Sequence, residues 1–189
     1  MKVIKQFMKS TIVALAVLLF VFVSLPAKDS YAKTAKEINT EVKAALRLFS
    51  EQVQGGNEFL NAAKGVLVIP NIVKAGLGIG GEYGEGALRI GGKTINYYSL
   101  SAGSIGFQIG AEKMNLVLIF MQDGALKNFR ASSGWKAGVD GTVTFIDTGK
   151  EEAVDTTNIR DPIVGFIFGQ RGLMANIAIE GAKFTKLVR

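Results

Sequence analysis

The residues best placed to do chemistry in this 189-residue chain are carboxylates, because it contains neither Cys nor His. Without those two residue types the usual zinc sites, a thiolate nucleophile and the Ser-His-Asp relay are unavailable, and no disulfide framework or acylated lipoprotein thiol can form. Glu82, Glu85, Asp140 and Glu180 remain as candidates for a general acid–base pair or a calcium site. Their spacing lacks the closely repeated oxygen ligands of a dedicated calcium loop, so they read as solvated carboxylates or as partners for Arg and buried backbone. A hydrolase built on two of them requires that pair to face each other in a cleft. The run Gly76-Leu77-Gly78-Ile79-Gly80-Gly81 matches the GxGxxG dinucleotide pattern. That motif needs a helix N-terminus directly behind it to hold the pyrophosphate, and Tyr83-Gly84-Glu85-Gly86 is poor helix material. These glycines therefore read as strand and not as a nucleotide site, and the expectation is a protein with neither cofactor nor catalysis.

Cations offer a different chemistry, and their distribution along the chain is uneven. Lys2, Lys5 and Lys9 precede an apolar run at residues 12–23, and Ser30-Tyr31-Ala32 places small residues three and one before a cleavage point. This is the layout of a secretory signal. The run is shorter than the roughly 20 residues that a spanning helix needs. Residues 1–32 are thus expected to be a signal peptide, and 33–189 a single exported domain, periplasmic or secreted. Removing the four Lys and one Asp of residues 1–32 takes the formal charge from +6 to +3. So mild a balance does not point to nucleic acid, whose binders carry a clustered basic face.

The elements that must position these groups follow from periodicity. At about 100° per residue, Ile38, Val42, Ala45, Leu46, Phe49 and Val53 fall in one arc of a helix over 33–54, with Lys36, Lys43 and Arg47 aligned on the opposite side. Gly55-Gly56 stops it, and a short helix over 57–64 follows, with Asn57 as its cap. From Gly65 the period changes to two. Strands are expected at 66–69, 75–83, 104–111, 116–121, 136–146, 163–168 and 173–184, with a short helix over 123–130 capped by Asp123 and a long polar loop over 148–162. The stretch 116–121 is apolar on both faces and reads as a central strand. All 23 glycines follow residue 32; inside strands they mark bulges, sharp bends and close backbone approach. The expected fold is α+β, a strongly curved, glycine-rich, antiparallel and barrel-like sheet with the amphipathic N-terminal helix packed on it.

For the first helix, core packing and surface binding are compatible. Its apolar arc can sit on the sheet while Lys36, Lys43 and Arg47 meet anionic headgroups, each suitably placed cation contributing ~1 kcal/mol. Lys64, Lys74 and Lys136 are candidates to extend that surface, and Arg130, Arg171, Lys183 and Lys186 are further cations that one sequence cannot assign to a face. Trp135, the single Trp, reads as an interfacial lipid anchor or a half-buried rim residue. A small outer-membrane β-barrel or a structural envelope protein is the competing architecture. One Trp, a helical start and the ending Leu187-Val188-Arg189 fit the aromatic girdles of such a barrel poorly.

Several motifs in order resemble the SYLF domain, the lipid-binding family that includes yeast actin-patch regulators and plant FYVE proteins. They are Ala63-Lys64-Gly65-Val66-Leu67-Val68-Ile69-Pro70 running into the glycine-rich stretch from Lys74 to Gly86, then Gly106-Phe107-Gln108-Ile109-Gly110-Ala111 leading into 116–121, then Gly138-Val139-Asp140, and finally Arg171-Gly172-Leu173 with Ile179-Glu180-Gly181. The resemblance covers nearly all of 33–189 and implies an α+β domain that binds phospholipid. Some relatives bind actin, a partner not expected for an exported chain. The sequence departs from the family at Tyr98-Ser99-Leu100-Ser101 and at Met174-Ala175-Asn176-Ile177.

Overall fold

Thr34 starts the first helix with a reciprocal cap. Its hydroxyl accepts from the Glu37 N–H at 3.3 Å, and the Glu37 carboxylate accepts from the Thr34 N–H at 2.7 Å, which satisfies two N–H groups that a helix start leaves orphaned. Helix α1 (Ala35–Gln52) then buries Ile38, Val42, Ala45 and Phe49, the expected arc. Gly55, with a left-handed φ of 73°, turns the chain and serves as the N-cap of α2 (Gly56–Ala62), in place of Asn57. The structure is a computed structural model that describes residues 32–146, 161–172 and 181–189. Residues 33–189 form one compact unit. Residues 1–31 of the expected signal segment, Glu180, residues 148–160 of the expected loop and most of the expected strand at 173–184 lie outside the described residues.

The sheet is built on one long hairpin, β1 (Gly65–Ile90) and β2 (Lys93–Phe120). Gly91 and Gly92, with φ of 55° and 76°, make the two-residue turn that right-handed strand twist favours. Four expected strands are thus two, because the intervening residues pair as well: Lys74 lies opposite Glu112, Tyr83 opposite Ser101, and Ile90 opposite Lys93. Pro70-Asn71 does not close a strand. It is absorbed as a register shift, with Asn71 at a φ of 51° and its N–H donated to Asn115 Oδ1 at 3.1 Å.

The other edge of β2 is shared. Its residues 97–101 pair with β6 (Lys183–Leu187), and its residues 112–120 with β5 (Ile163–Gly172). Strand β3 (Gly134–Lys136) adds to β6, and β4 (Thr144–Ile146) adds to β5. The expected strand at 136–146 survives only as its two ends, because Gly138 at a φ of 80° turns the chain and the Lys136 carbonyl accepts from Val139 and Asp140. The β4–β5 pair is parallel, so the sheet is mixed and not wholly antiparallel. The connection across 147–162 is long enough for the crossover that a parallel pair requires.

Alternation along the strands feeds two cores. Leu116, Leu118 and Phe120 of β2 point into a core with Leu67, Ile69, Tyr98 and Phe184, closed by Leu126 and Phe129 of α3 (Asp123–Ala131). Val117 and Ile119, with Val164, Phe166 and Phe168 of β5, point the other way, to the buried arc of α1 and to Phe59 of α2. The expected central strand is therefore sandwiched on both faces. Phe166 meets Phe49 and Phe59 edge-on at centroid distances of 5.1 and 5.0 Å. Curvature is strong enough that β1 touches itself: a Cβ on Gly86 would lie 1.8 Å from the Val68 carbonyl oxygen. Only glycine fits that approach. The result is α+β, a curled, barrel-like sheet with α1 packed on it.

Candidate functional site

Among the described residues, the candidate carboxylates Glu82, Glu85 and Asp140 each take a separate partner. Glu82 and Glu85 are three apart on β1, and an odd spacing sends strand side chains to opposite faces. Glu82 pairs with Lys74 at 3.3 Å, both side chains only 3% exposed, and Glu85 pairs with Arg189 at 3.0 Å. Tyr83 donates its hydroxyl to Glu85 Oε1 at 2.7 Å. Burial, and then that bond to a carboxylate, push the tyrosine pKa up to about 12. Asp140 accepts from the Lys136 backbone N–H at 2.7 Å. The second oxygens of Glu85 and Glu112 lack a hydrogen-bond partner, and no cluster of three metal-ligating acids occurs among the described residues. Residues 76–81 run inside β1, with strand and not helix behind them.

The cations separate into surface and interior groups. Lys36, Lys43 and Arg47 are exposed on the outward side of α1, as their alignment requires. Acids interrupt that stripe, however. Arg47 sits 3.6 Å from Glu51, and Lys33, next to the stripe, binds Glu41 at 2.7 Å. Glu37 is held below its ordinary carboxylate pKa, chiefly by the Thr34 backbone N–H and then by its hydroxyl. Lys64 is exposed where α2 passes into β1, and its backbone N–H is donated to the Phe120 carbonyl at 2.9 Å.

Two expected surface residues are interior. Lys74 is buried against Glu82, and it lies two residues along β1 from Ile72, whose side of the strand faces the first core. Trp135, 2% exposed, is neither anchor nor rim: its ring lies 5.4 Å from Phe129 and 5.8 Å from Phe184. Strand β3 directs it inward opposite Phe184 while turning its neighbour Lys136 outward, opposite Lys183. Neither Lys74 nor Trp135 reaches a headgroup in this arrangement.

Helix α3 and strand β6 bring together a set that the sequence left scattered. Lys127, Arg130 and Lys186 line one depression of about 450 Å³, with Asp123 as its acid and Leu126 and Ala131 completing the wall. All three cations are exposed, and none has an ion pair among the described residues. Arg130 also makes its charge felt inside: burial raises the pKa of Tyr98, and the Arg130 cation opposes that rise. Lys127 was missed in the sequence reading, although its place three residues before Arg130 on one helix puts the two on neighbouring positions.

Residues 101–187 match the family model described as Las17-binding protein actin regulator, Ysc84. This is the SYLF family that the sequence motifs resemble, and the match covers a little under half of the chain. The matched Ysc84 segment runs from within β2 through α3, β3, β4 and β5 to the last residue of β6, and so holds Lys127, Arg130 and Lys186. It contains the family-like motifs at 106–121, 138–140 and 171–181, while α1, α2 and β1 precede it. None of the curated proteins matches the chain. Among the described residues, no helix is long and apolar enough to cross a membrane. An outer-membrane barrel turns an apolar band toward lipid, whereas here α1 packs over the face of the sheet formed by Val117, Ile119, Val164 and Phe166.

Proposed function

We propose that this protein is an exported module, periplasmic or secreted, that docks on anionic phospholipid surfaces and performs no catalysis. The observation that carries the reading is the depression between α3 and β6, where Lys127, Arg130 and Lys186 converge with a single acid among its lining residues. Like charges held together cost free energy unless a counter-charge meets them, and a phosphate-bearing bilayer supplies many. Lys36 and Lys43 add headgroup contacts from α1. That helix contributes through its polar side, since Ile38, Val42 and Phe49 are committed to the core and each such burial is worth ~1.5–3 kcal/mol. The printed description of the family concerns Las17 and actin; a chain acting outside the cytoplasm meets neither, and lipid is the shared partner class that the SYLF resemblance implies.

Vesicle co-sedimentation tests this. Binding is expected to neutral vesicles weakly or not at all, to vesicles with anionic lipid strongly, and to the latter much less in ~1 M salt, where the Debye length falls to ~3 Å. Equal binding to neutral and anionic vesicles, or binding indifferent to salt, refutes the electrostatic mechanism.

A further inference from the structure

A second pair of cations lies on another part of the molecule. Lys113 of β2 and Arg171 of β5 are direct cross-strand partners, so their side chains leave the same face of the sheet side by side. Like charges in that position destabilise an antiparallel pair. Both are exposed, and neither has an ion pair among the described residues. They open into a cavity of about 290 Å³ between α1 and the sheet, with Leu48 and Pro70 on its apolar wall and Glu41 on its rim. Glu41 does not neutralise them in this structure, being bound by Lys33 at 2.7 Å.

The surroundings are rigid. Asn115 is buried beside the cavity; its Oδ1 accepts from the Asn71 N–H at 3.1 Å and its amide donates to the Phe168 carbonyl at 3.4 Å. One side chain thereby pins irregularities in β1 and in the β2–β5 pairing, the latter lying between Lys113 and Asn115. Gly169, at a φ of 64°, completes it: a Cβ there would stand 2.7 Å from the Asn115 amide nitrogen. Bulges of this kind re-aim the side chains next to them.

We propose that Lys113 and Arg171 bind a phosphate group in this cavity. A guanidinium presents a planar fork of donors that matches phosphate oxygens, and an ammonium adds a point charge. The volume lies near the lower limit for small-ligand pockets, ~300 Å³. It suits a phosphate with a short polar body and excludes two acyl chains. The phosphate belongs either to a lipid headgroup, in which case the site rests on the membrane-docking reading and refines it, or to a small soluble phosphate.

The test uses the full chain, its Lys113→Gln/Arg171→Gln variant, and a Lys127→Gln/Arg130→Gln/Lys186→Gln control. Glycerol 3-phosphate is titrated while the backbone amide shifts of Lys113 and Arg171 are followed. In a second arm, binding is measured to vesicles carrying phosphatidate and to vesicles carrying equal negative charge as fatty carboxylate. Saturating shifts that weaken at least tenfold in the Lys113/Arg171 variant, and persist in the control, establish the soluble source. A preference for phosphatidate over carboxylate vesicles that the Lys113/Arg171 variant abolishes, while it still binds both kinds of anionic vesicle, establishes the headgroup source. Without phosphate, the variant is expected to melt a few degrees higher than the native chain, because its like-charge pair is gone. If the variant matches the native chain in both arms, the site is refuted even where vesicle binding persists. If the native chain ignores all vesicles but keeps its glycerol phosphate shifts, membrane docking fails and the phosphate site stands.

Discussion

Helix α1 and the α3–β6 depression both turn cations to solvent, but α1 intersperses its cations with acids, whereas the depression sets three cations against one acid. On α1, Arg47 is close to Glu51, Lys33 binds Glu41, and Glu37 stands beside Lys36 in sequence. Around the depression, Lys127, Arg130 and Lys186 face Asp123 without an ion pair among the described residues. The contrast shows that alignment on a helical wheel is not the same as a field. An exposed i,i+4 ion pair stabilises by only a few tenths of a kcal/mol, yet it is enough to cancel the charge a membrane would feel. Of the three cations only Lys127 has an acid at helical spacing, Asp123 four residues before it, and that pair does not close into an ion pair.

A third class of cation marks the extreme of this comparison, and it carries the largest predicted effect. Lys74 is buried with Glu82 at 3.3 Å. Removing one member of such a pair leaves an uncompensated charge in the interior and typically costs ~3–5 kcal/mol. Lys74→Ala is expected to lower the urea midpoint by that equivalent while the folded fraction binds vesicles like the native chain. Lys64→Ala, at an exposed position, is expected to shift stability by less than about 0.5 kcal/mol. A Lys74 variant of native stability that binds lipid poorly would return this residue to the surface set.

Next in size is the direct contest between the two surfaces. At ~1 kcal/mol per cation near an anionic membrane and 1.4 kcal/mol per tenfold, Lys127→Gln/Arg130→Gln/Lys186→Gln is expected to weaken binding to anionic vesicles roughly 100-fold at low salt. Lys36→Gln/Lys43→Gln/Arg47→Gln is expected to weaken it only about 30-fold, since one of its three cations is already partnered. The reverse order of the two variants in the same co-sedimentation series would make α1 the docking face.

What was legible in the sequence divides along the same line. The arc Ile38, Val42, Ala45 and Phe49 sits in the core as its period demands, and the doubly apolar 116–121 stretch is the central strand. Those patterns are local, and a period of 3.6 or 2 is enough to read them. The hairpin's true length was hidden by Pro70-Asn71 and by polar residues such as Lys74 and Glu112, which look like loop until their cross-strand partners are known. Lys113 escaped notice for that reason. Lys74 and Trp135 were misplaced because burial of a single residue depends on which strand lies beside it, and Trp135 is interior only because β3 sets it opposite Phe184. The α3–β6 depression joins residues 127–130 to residue 186, a juxtaposition made by tertiary packing alone.

The smallest effect comes from the start of α1, and it separates the helix as scaffold from the helix as binding surface. The Thr34 backbone N–H and hydroxyl favour the ionised form of Glu37 and lower its pKa from the ordinary 4.5. A group with a lowered folded-state pKa stabilises fully above its unfolded value, and that contribution is lost as pH falls through the folded one. The Glu37 carboxyl is therefore expected to titrate, by NMR, with a midpoint below 4.5, and amide protection in the first turn of α1 is expected to fall across the same interval. Glu37→Ala removes that acid-dependent loss and frays the first turn at neutral pH. Because the depression between α3 and β6 shares no residue with this cap, binding of Glu37→Ala to anionic vesicles at neutral pH is expected to change less than about twofold, a few tenths of a kcal/mol. A larger drop would mean that membrane docking reads the order of α1 itself, and the cationic depression would then be a secondary contact.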